Sequence, residues 1–128
     1  MIFSDLTVLY VEDEIIVAIE TAELLRDIGF GQVLVAHNLR TAERLEQENA
    51  IDVAVLDVNL GNGERSIDLG LRLAEGGTKV IFASGYNLSE LSEKIQGFDF
   101  IEKPFTQTAF TALVGRIAAR SSGAAAAE

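Results

Sequence analysis

The sequence contains no cysteine and no tryptophan, and only one proline and one histidine. The lack of cysteine excludes disulfide bonds, thiolate metal sites and cysteine nucleophiles, and is compatible with a reducing compartment. No apolar run approaches the roughly 18 residues that a membrane-spanning helix needs. The amino terminus also lacks the basic and apolar regions of a secretory signal. We therefore expect a cytoplasmic protein that does not enter a membrane.

Positive charge is scarce as well, because 10 basic residues stand against 20 acidic ones and give a net charge of −10. Binding to nucleic acid needs clustered Lys and Arg, so no direct nucleic-acid contact is expected, and a divalent cation is a more natural partner. The 128 residues are 48% hydrophobic, which is typical of one soluble globular domain. We predict a domain over residues 1–120 and a flexible, alanine-rich tail over residues 121–128.

Five short apolar segments predict β-strands. They are nearly continuous in Val, Ile, Leu and Phe, which is typical of parallel strands that are buried on both faces. The segments between them have helical periodicity, so strands and helices alternate. We therefore predict an α/β fold, a flavodoxin-like, doubly wound, five-stranded parallel sheet of order 2-1-3-4-5 with five helices. The predicted strands are Leu6–Val11, Gln32–Ala36, Asp52–Asp57, Lys79–Ala83 and Phe98–Ile101.

The predicted helices are marked by apolar residues three or four positions apart, and two of them by a residue suited to a helix end. Gly29 is expected to end the first helix in a left-handed conformation, and Asn38 to cap the start of the second. A weaker fourth helix is predicted over residues 87–96. The apolar positions of the other four helices are Ile15, Ile19, Ala22 and Leu25; Ala42 and Leu45; Ile67, Gly70, Leu71 and Ala74; and Phe110, Leu113, Val114 and Ile117.

Polar residues follow the predicted strands where the strands end. Glu12 and Asp13 come after the first strand, Asp57 ends the third, Ser84 follows the fourth and Lys103 follows the fifth. Each of them alone is more typical of a turn or a helix cap. In an open parallel sheet, however, the functional crevice lies beyond the carboxyl ends of the strands. We expect these five side chains to meet there.

Three carboxylates at one edge repel each other by several kcal/mol per pair, on the order expected for a partly buried site. Lys103 and a divalent cation can compensate this charge, and a set of oxygen ligands suits Mg²⁺. Three acids, one lysine and one Mg²⁺ are formally neutral together. A phosphoryl group on Asp57 would then leave the site only mildly negative.

The segments VLYVEDE, VAVLDVNL, VIFASGY and FIEKPF, in this order and spacing, resemble the receiver domains of bacterial response regulators in two-component systems. This resemblance implies that Asp57 accepts a phosphoryl group from a sensor histidine kinase or a phosphotransfer protein. It implies that Mg²⁺ is bound by Asp13, Asp57 and the backbone carbonyl of Asn59, with Glu12 acting through water. It also implies that Lys103 contacts the phosphoryl group and that a cis peptide bond joins Lys103 to Pro104.

The same resemblance implies a conformational switch. The Ser84 hydroxyl would move toward the phosphate, and Phe100 or Tyr86 would respond. The face made by the fourth helix, fifth strand and fifth helix would then change and control a partner protein, unless the chain serves as a phosphate sink. Self-dephosphorylation is expected, but not classical enzyme activity. The run FASGY further resembles a subgroup of stand-alone receivers with a Phe-Ala-Thr-Gly-aromatic motif.

The loop after Asp57 departs from the family pattern, because Gly61 and Arg65 stand where a proline and a glycine are usual, and a further glycine, Gly63, lies between them. These differences leave the geometry of the loop open. His37 follows the second strand and is expected to lie away from the carboxylates.

Two other classes of protein remain alternatives. A haloacid-dehalogenase-like phosphatase also phosphorylates an Asp at the end of a strand, but its motif has a second Asp where this chain has Asn59, and that strand comes first. A degenerate receiver or a flavodoxin-like module would only bind a partner or a cofactor. The sequence VEDE after the first strand disfavours flavin phosphate, since it would repel an anion.

Overall fold

The computed structural model describes residues 3–60, 66–85 and 97–127, with side chains as far as Ile117. The predictions made for Gly61, Gly63, Arg65, Tyr86 and the helix over 87–96 lie outside the described residues.

Strands and helices alternate from Thr7 to Ser84, as the apolar pattern predicts. The strands are β1 (Thr7–Val11), β2 (Gln32–Ala36), β3 (Val53–Asp57), β4 (Lys79–Ser84) and β5 (Asp99–Glu102). The helices are α1 (Ile15–Ile28), α2 (Leu39–Glu48), α3 (Ile67–Glu75) and α4 (Gln107–Ala127).

The five strands form one parallel sheet of order β2-β1-β3-β4-β5, which confirms the predicted order. Val11 of β1 pairs with Leu56 of β3, and Leu56 pairs with Phe82 of β4. The strands are therefore aligned so that their carboxyl ends lie along one edge. Four of the five predicted helices are within the described residues.

Each face of the sheet is covered by a separate apolar cluster. Tyr10 and Val55 pack on one face with Leu25 of α1 and Phe110 of α4. On the other face, Leu56 and Phe82 pack with residues of α2 and α3 such as Ala42 and Leu73. Because side chains alternate between the faces of a strand, Glu12 and Asp57 belong to the same face as Tyr10 and Val55.

The apolar positions that predicted α1 do not all face the core. Ile15 and Ile19 are 62% and 61% exposed, whereas Ala18, Ala22 and Leu25 are buried. The isoleucines of α1 broaden its apolar band, so apolar spacing alone did not define which stripe of the helix faces the sheet. The two isoleucines lie on the solvent side of α1, although Ala18, between them in sequence, belongs to the core.

Two predicted helix ends are confirmed. Gly29 follows α1 with φ of 115°, and its N–H donates to the carbonyl of Arg26. This left-handed conformation is costly for residues with a β-carbon. At α2, the Asn38 side chain accepts a hydrogen bond from the Thr41 N–H at 2.8 Å. These caps fix where the loop before β2 begins and where the loop after β2 ends.

The last helix is longer than expected, because α4 continues to Ala127 through residues assigned to a tail. Alanine has the highest helix propensity, and residues 124–127 are all alanine, which favours a helix at this end of the chain. Within the described ranges, no helix has both the length and the apolar character needed to cross a membrane.

Candidate functional site

Three carboxylates meet at the carboxyl edge of the sheet. Glu12 and Asp13 directly follow β1, and Asp57 is the last residue of β3. One carboxylate oxygen from each of the three lies within 4.8 Å of the others. Because Val11 and Leu56 are paired, the next residues along each strand, Glu12 and Asp57, are neighbours. The sequence-predicted cluster is thus brought together by the register of β1 and β3.

Lys103 joins two of these carboxylates. Its Nζ lies 2.6 Å from Glu12 Oε1 and 3.1 Å from Asp57 Oδ2, and its side chain is 17% exposed. The backbone N–H of Lys103 donates to the carbonyl of Ser84 at 3.0 Å, which ties this residue to the end of β4. The peptide bond between Lys103 and Pro104 is cis. The lysine thereby places positive charge between the carboxyls of Glu12 and Asp57.

Glu12 is fully buried, and both of its carboxylate oxygens and its backbone carbonyl accept hydrogen bonds. Oε1 accepts from the Tyr10 hydroxyl at 3.2 Å as well as from Lys103, and Oε2 accepts from the Glu14 N–H at 3.3 Å. The His37 Nδ1 donates to the Glu12 carbonyl at 3.1 Å. The expectation that His37 lies away from the carboxylates was wrong, because β2 is next to β1 and its end reaches the same edge.

Sequence reasoning missed Tyr10 as a neighbour of the site. A signal was present, because residues two apart on a strand share a face, and Tyr10 precedes Glu12 by two.

The backbone around Asp57 is held by Ser66, which sequence reasoning also missed. The Ser66 hydroxyl donates to the Asp57 carbonyl at 2.7 Å and is fully buried. Ser66 precedes α3, yet its side chain makes no capping bond to that helix. On the side chain of Asp57, Oδ1 accepts from the Asn59 N–H at 3.3 Å, while Oδ2 faces Lys103. Both carboxylate oxygens therefore have a donor.

The protonation of the site follows from burial and from these contacts. Burial raises the pKa of Asp57 to about 7, helped by the hydrogen bond and the charge of Glu12 and opposed by Lys103. Burial also acts to raise the pKa of Glu12, but hydrogen bonds from Lys103 and Asp57 hold it below its ordinary value. The Lys103 pKa is raised, since its two carboxylate partners outweigh burial. Asp57 is thus the carboxyl that holds a proton most readily.

Ser84 and Phe100 lie on β4 and β5, on the side of the sheet away from β2. Ser84 is buried as the last residue of β4. Phe100 of β5 is half-buried, and its ring centroid lies 5.9 Å from that of Phe82. Phe98 also packs on Phe82, at 5.6 Å. Phe100 therefore belongs to an aromatic cluster on the face covered by α2 and α3.

The donor set fits Mg²⁺. Glu12, Asp13 and Asp57 offer carboxylate oxygens close enough to share one ion, and hard oxygen ligands are the ones that Mg²⁺ prefers. With Lys103 in contact, the charge at this edge suits a divalent cation better than a monovalent one.

Comparisons with known proteins agree with this geometry. Residues 8–115 match the family model described as response regulator receiver domain, so the chain belongs to that family. Among solved structures, SdrG from Sphingomonas melonis Fr1 is 26% identical, with a TM-score of 0.75 over 88% of this chain and 95% of that one. A CheY-like receiver domain from Methylobacillus flagellatus is 25% identical, with a TM-score of 0.76 over 88% and 98%.

The amino-terminal domain of a response regulator/sensory box/GGDEF three-domain protein from Carboxydothermus hydrogenoformans has the same fold. It is 23% identical, with a TM-score of 0.76 over 94% of this chain and 98% of that one. No curated protein matches. The chain is a receiver domain of two-component signalling, a class of signalling domain rather than of classical enzyme.

Proposed function

We propose that this receiver domain is a phosphorylation-dependent switch in which Asp57 accepts a phosphoryl group from a sensor histidine kinase or a phosphotransfer protein. The observation that carries the proposal is the position of Lys103, whose Nζ lies 3.1 Å from Asp57 Oδ2 and 2.6 Å from Glu12 Oε1. A lysine held against the acceptor carboxylate by a second carboxylate can follow negative charge that moves onto a phosphoryl group.

In the proposed reaction, an ionised Asp57 oxygen attacks the phosphorus of a phosphohistidine. A bond forms between that oxygen and phosphorus, the bond between phosphorus and the imidazole nitrogen breaks, and the imidazole leaves with the electron pair. Because burial raises the pKa of Asp57 to about 7, a part of the molecules carries a protonated Asp57 near neutral pH, and only the ionised form attacks. Lys103 contacts the acceptor and stabilises the charge on the transferring oxygens, so catalysis consists mainly of positioning and electrostatics.

The residues that would hold Mg²⁺ are Asp13, Asp57 and the backbone carbonyl of Asn59, with Glu12 contributing through water. Support comes from the carboxylate oxygens of Glu12, Asp13 and Asp57, which lie within 4.8 Å of one another. When bound, the ion supplies positive charge that offsets the charge of the phosphoryl oxygens and favours an ionised Asp57.

The proposed output begins at Ser84, whose hydroxyl would turn toward the phosphoryl group. Phe100 or Tyr86 would then change position, and the face formed by residues 87–96, β5 and α4 would present a different surface to a downstream protein. If no such protein exists, the chain would act as a phosphate sink. We also propose that the phosphoryl group is lost by self-dephosphorylation and that the chain works in the cytoplasm, since histidine kinases draw on ATP.

The test is the intact mass of the protein after incubation with a small acyl phosphate, with and without Mg²⁺. Wild type is expected to gain one phosphoryl group only with Mg²⁺, and Asp57→Asn is expected to gain none. The matched control is Asp27→Asn, which changes an exposed carboxylate in the last turn of α1 and should leave the adduct unchanged. The lifetime of the adduct after removal of the acyl phosphate measures self-dephosphorylation.

A wild-type protein that gains no phosphoryl group under these conditions would instead be a degenerate receiver that acts only by binding. Autophosphorylated histidine kinases, tested one by one for transfer to wild type and Asp57→Asn, then identify the donor. A downstream partner would bind the phosphorylated form with a changed affinity. A phosphate sink would remove phosphoryl groups from the kinase and would have no such partner.

A further inference from the structure

We propose that Tyr10 is a positioning residue of this site, because its hydroxyl orients Glu12 and, through Glu12, holds the Lys103 ammonium group against Asp57. This inference rests on the proposed function and extends it to a residue behind the carboxylates.

The contact is built into the strand. Tyr10 is buried on β1 two residues before Glu12, so both side chains project from the same face. The Tyr10 hydroxyl donates to Glu12 Oε1 at 3.2 Å, and the same oxygen accepts from Lys103 Nζ at 2.6 Å. The phenol thus holds the acceptor atom that Lys103 uses.

A hydroxyl at this position is not needed for packing. Tyr10 lies in an apolar cluster with Val8, Val55 and Phe110 around it, where a phenylalanine would fill almost the same volume. A hydroxyl in such surroundings destabilises the fold unless it is hydrogen-bonded. Glu12 provides the acceptor. The Thr21 side chain of α1 is the other polar neighbour of the phenol, and it lowers the Tyr10 pKa against the larger effect of burial, which raises it.

The position of Lys103 depends on its acceptors, because the ammonium group ends a flexible four-carbon side chain. Glu12 is one of the two acceptors, and its own position depends on Tyr10, Glu14 and Lys103. Without the Tyr10 hydroxyl, Glu12 Oε1 accepts a hydrogen bond from Lys103 alone, and the side chains of Glu12 and Lys103 can shift together. A displacement of about 1 Å at a reacting group can lower a rate by up to about 100-fold.

The experiment compares Tyr10→Phe with wild type in the Mg²⁺-dependent reaction with a small acyl phosphate. We expect phosphorylation to be slower by about tenfold, the effect of one hydrogen bond to a charged group. Thr78→Val is the matched control, since Thr78 donates a half-buried hydroxyl to the Ile51 carbonyl at 2.9 Å, far from the carboxylates at the opposite end of β4. The control should react at the wild-type rate.

A double-mutant comparison tests the route through Glu12. In a Glu12→Ala background, which lacks the acceptor of the Tyr10 hydroxyl, Tyr10→Phe should slow the reaction further by less than about twofold, because residues that act through one another are not additive. An undiminished tenfold effect in that background would overturn the proposed route.

A second readout does not depend on phosphorylation. The side-chain ¹⁵N resonance of Lys103, recorded without Mg²⁺, should shift in Tyr10→Phe and stay in place in Thr78→Val. A Tyr10→Phe protein with wild-type rate and an unshifted Lys103 resonance overturns the inference. If wild type takes up no phosphoryl group, the proposed function fails, and the resonance alone then decides whether Tyr10 positions Lys103.

Discussion

Replacing the acceptor itself is expected to stabilise the protein. Asp57 is buried beside Glu12, and its pKa rises from the ordinary 3.8 to about 7, chiefly because burial disfavours the ionised carboxylate. Asp57→Asn keeps the shape of the neutral side chain, with an NH₂ donor in place of the protonated carboxyl's O–H, and removes the ionisation. In the absence of a divalent cation, the variant should therefore have a larger free energy of unfolding than wild type at neutral and alkaline pH.

The magnitude and its pH dependence follow from linkage between proton binding and folding. Between about pH 4 and pH 7 the folded chain keeps the Asp57 proton while the unfolded chain has lost it, so the stability of wild type falls as pH rises. The full penalty, about 4 kcal/mol, is present above the folded pKa. The advantage of Asp57→Asn should thus be about 2 kcal/mol at pH 5.5 and about 4 kcal/mol at pH 8.

Urea unfolding of wild type and Asp57→Asn at both pH values, with a metal chelator present, measures this difference. Asp27→Asn, which changes an exposed carboxylate, serves as the control and should track wild type at both values. An advantage for Asp57→Asn that is the same at both pH values, or that shrinks as pH rises, would refute the reasoning. The ionisation of the buried Asp57 carboxylate would then not be what destabilises the wild-type protein at high pH.

Three further predictions concern the cation, the lysine and the packing. Mg²⁺ at 100 times the Kd of wild type should raise the free energy of unfolding of wild type by about 2.7 kcal/mol. The same Mg²⁺ concentration should raise the free energy of unfolding of Asp13→Asn by clearly less, and equal gains in a urea titration would exclude Asp13 as a ligand. Lys103→Ala should keep the fold and most of the Mg²⁺ binding but lose the coupling to the output face, so wild-type-like backbone NMR shifts on phosphorylation would contradict this role. Gly70→Ala should destabilise the fold by about 1–3 kcal/mol, because a β-carbon there would lie 2.4 Å from Phe82 Cζ. The control is Gly115→Ala, which should not destabilise the fold because a β-carbon at that position meets nothing within 4 Å. Equal midpoints of urea unfolding for the two variants would show that Phe82 moves aside freely.

The sheet order was predictable because buried parallel strands are continuous apolar runs, and alternation of strands with helices leaves few topologies. The positions of Glu12, Asp57 and Lys103 followed from the same rule, since the ends of parallel strands meet at one edge. The ends of α1 and α2 were also predictable, because Gly29 and Asn38 act through their own local conformations.

Other features were decided by the tertiary structure. Which stripe of α1 is buried depends on how that helix is rotated against the sheet, and Ile15 and Ile19 are exposed although they match the apolar spacing. The contact of His37 with the Glu12 carbonyl depends on the direction that the backbone after β2 gives to the imidazole, in addition to the β1–β2 pairing that was predicted. Neither the rotation of a helix nor the direction of a side chain in a loop is encoded in local spacing.

The protonation of the site shows the same division. The sequence determined which ionisable groups come to the carboxyl edge, because their places at the ends of strands are local. It did not determine that Lys103 bridges Glu12 to Asp57, that Tyr10 holds Glu12 from behind, or that the Asp57 pKa is raised to about 7. Those properties depend on distances of a few ångströms and on burial, which exist only once β1, β3 and β5 are packed together.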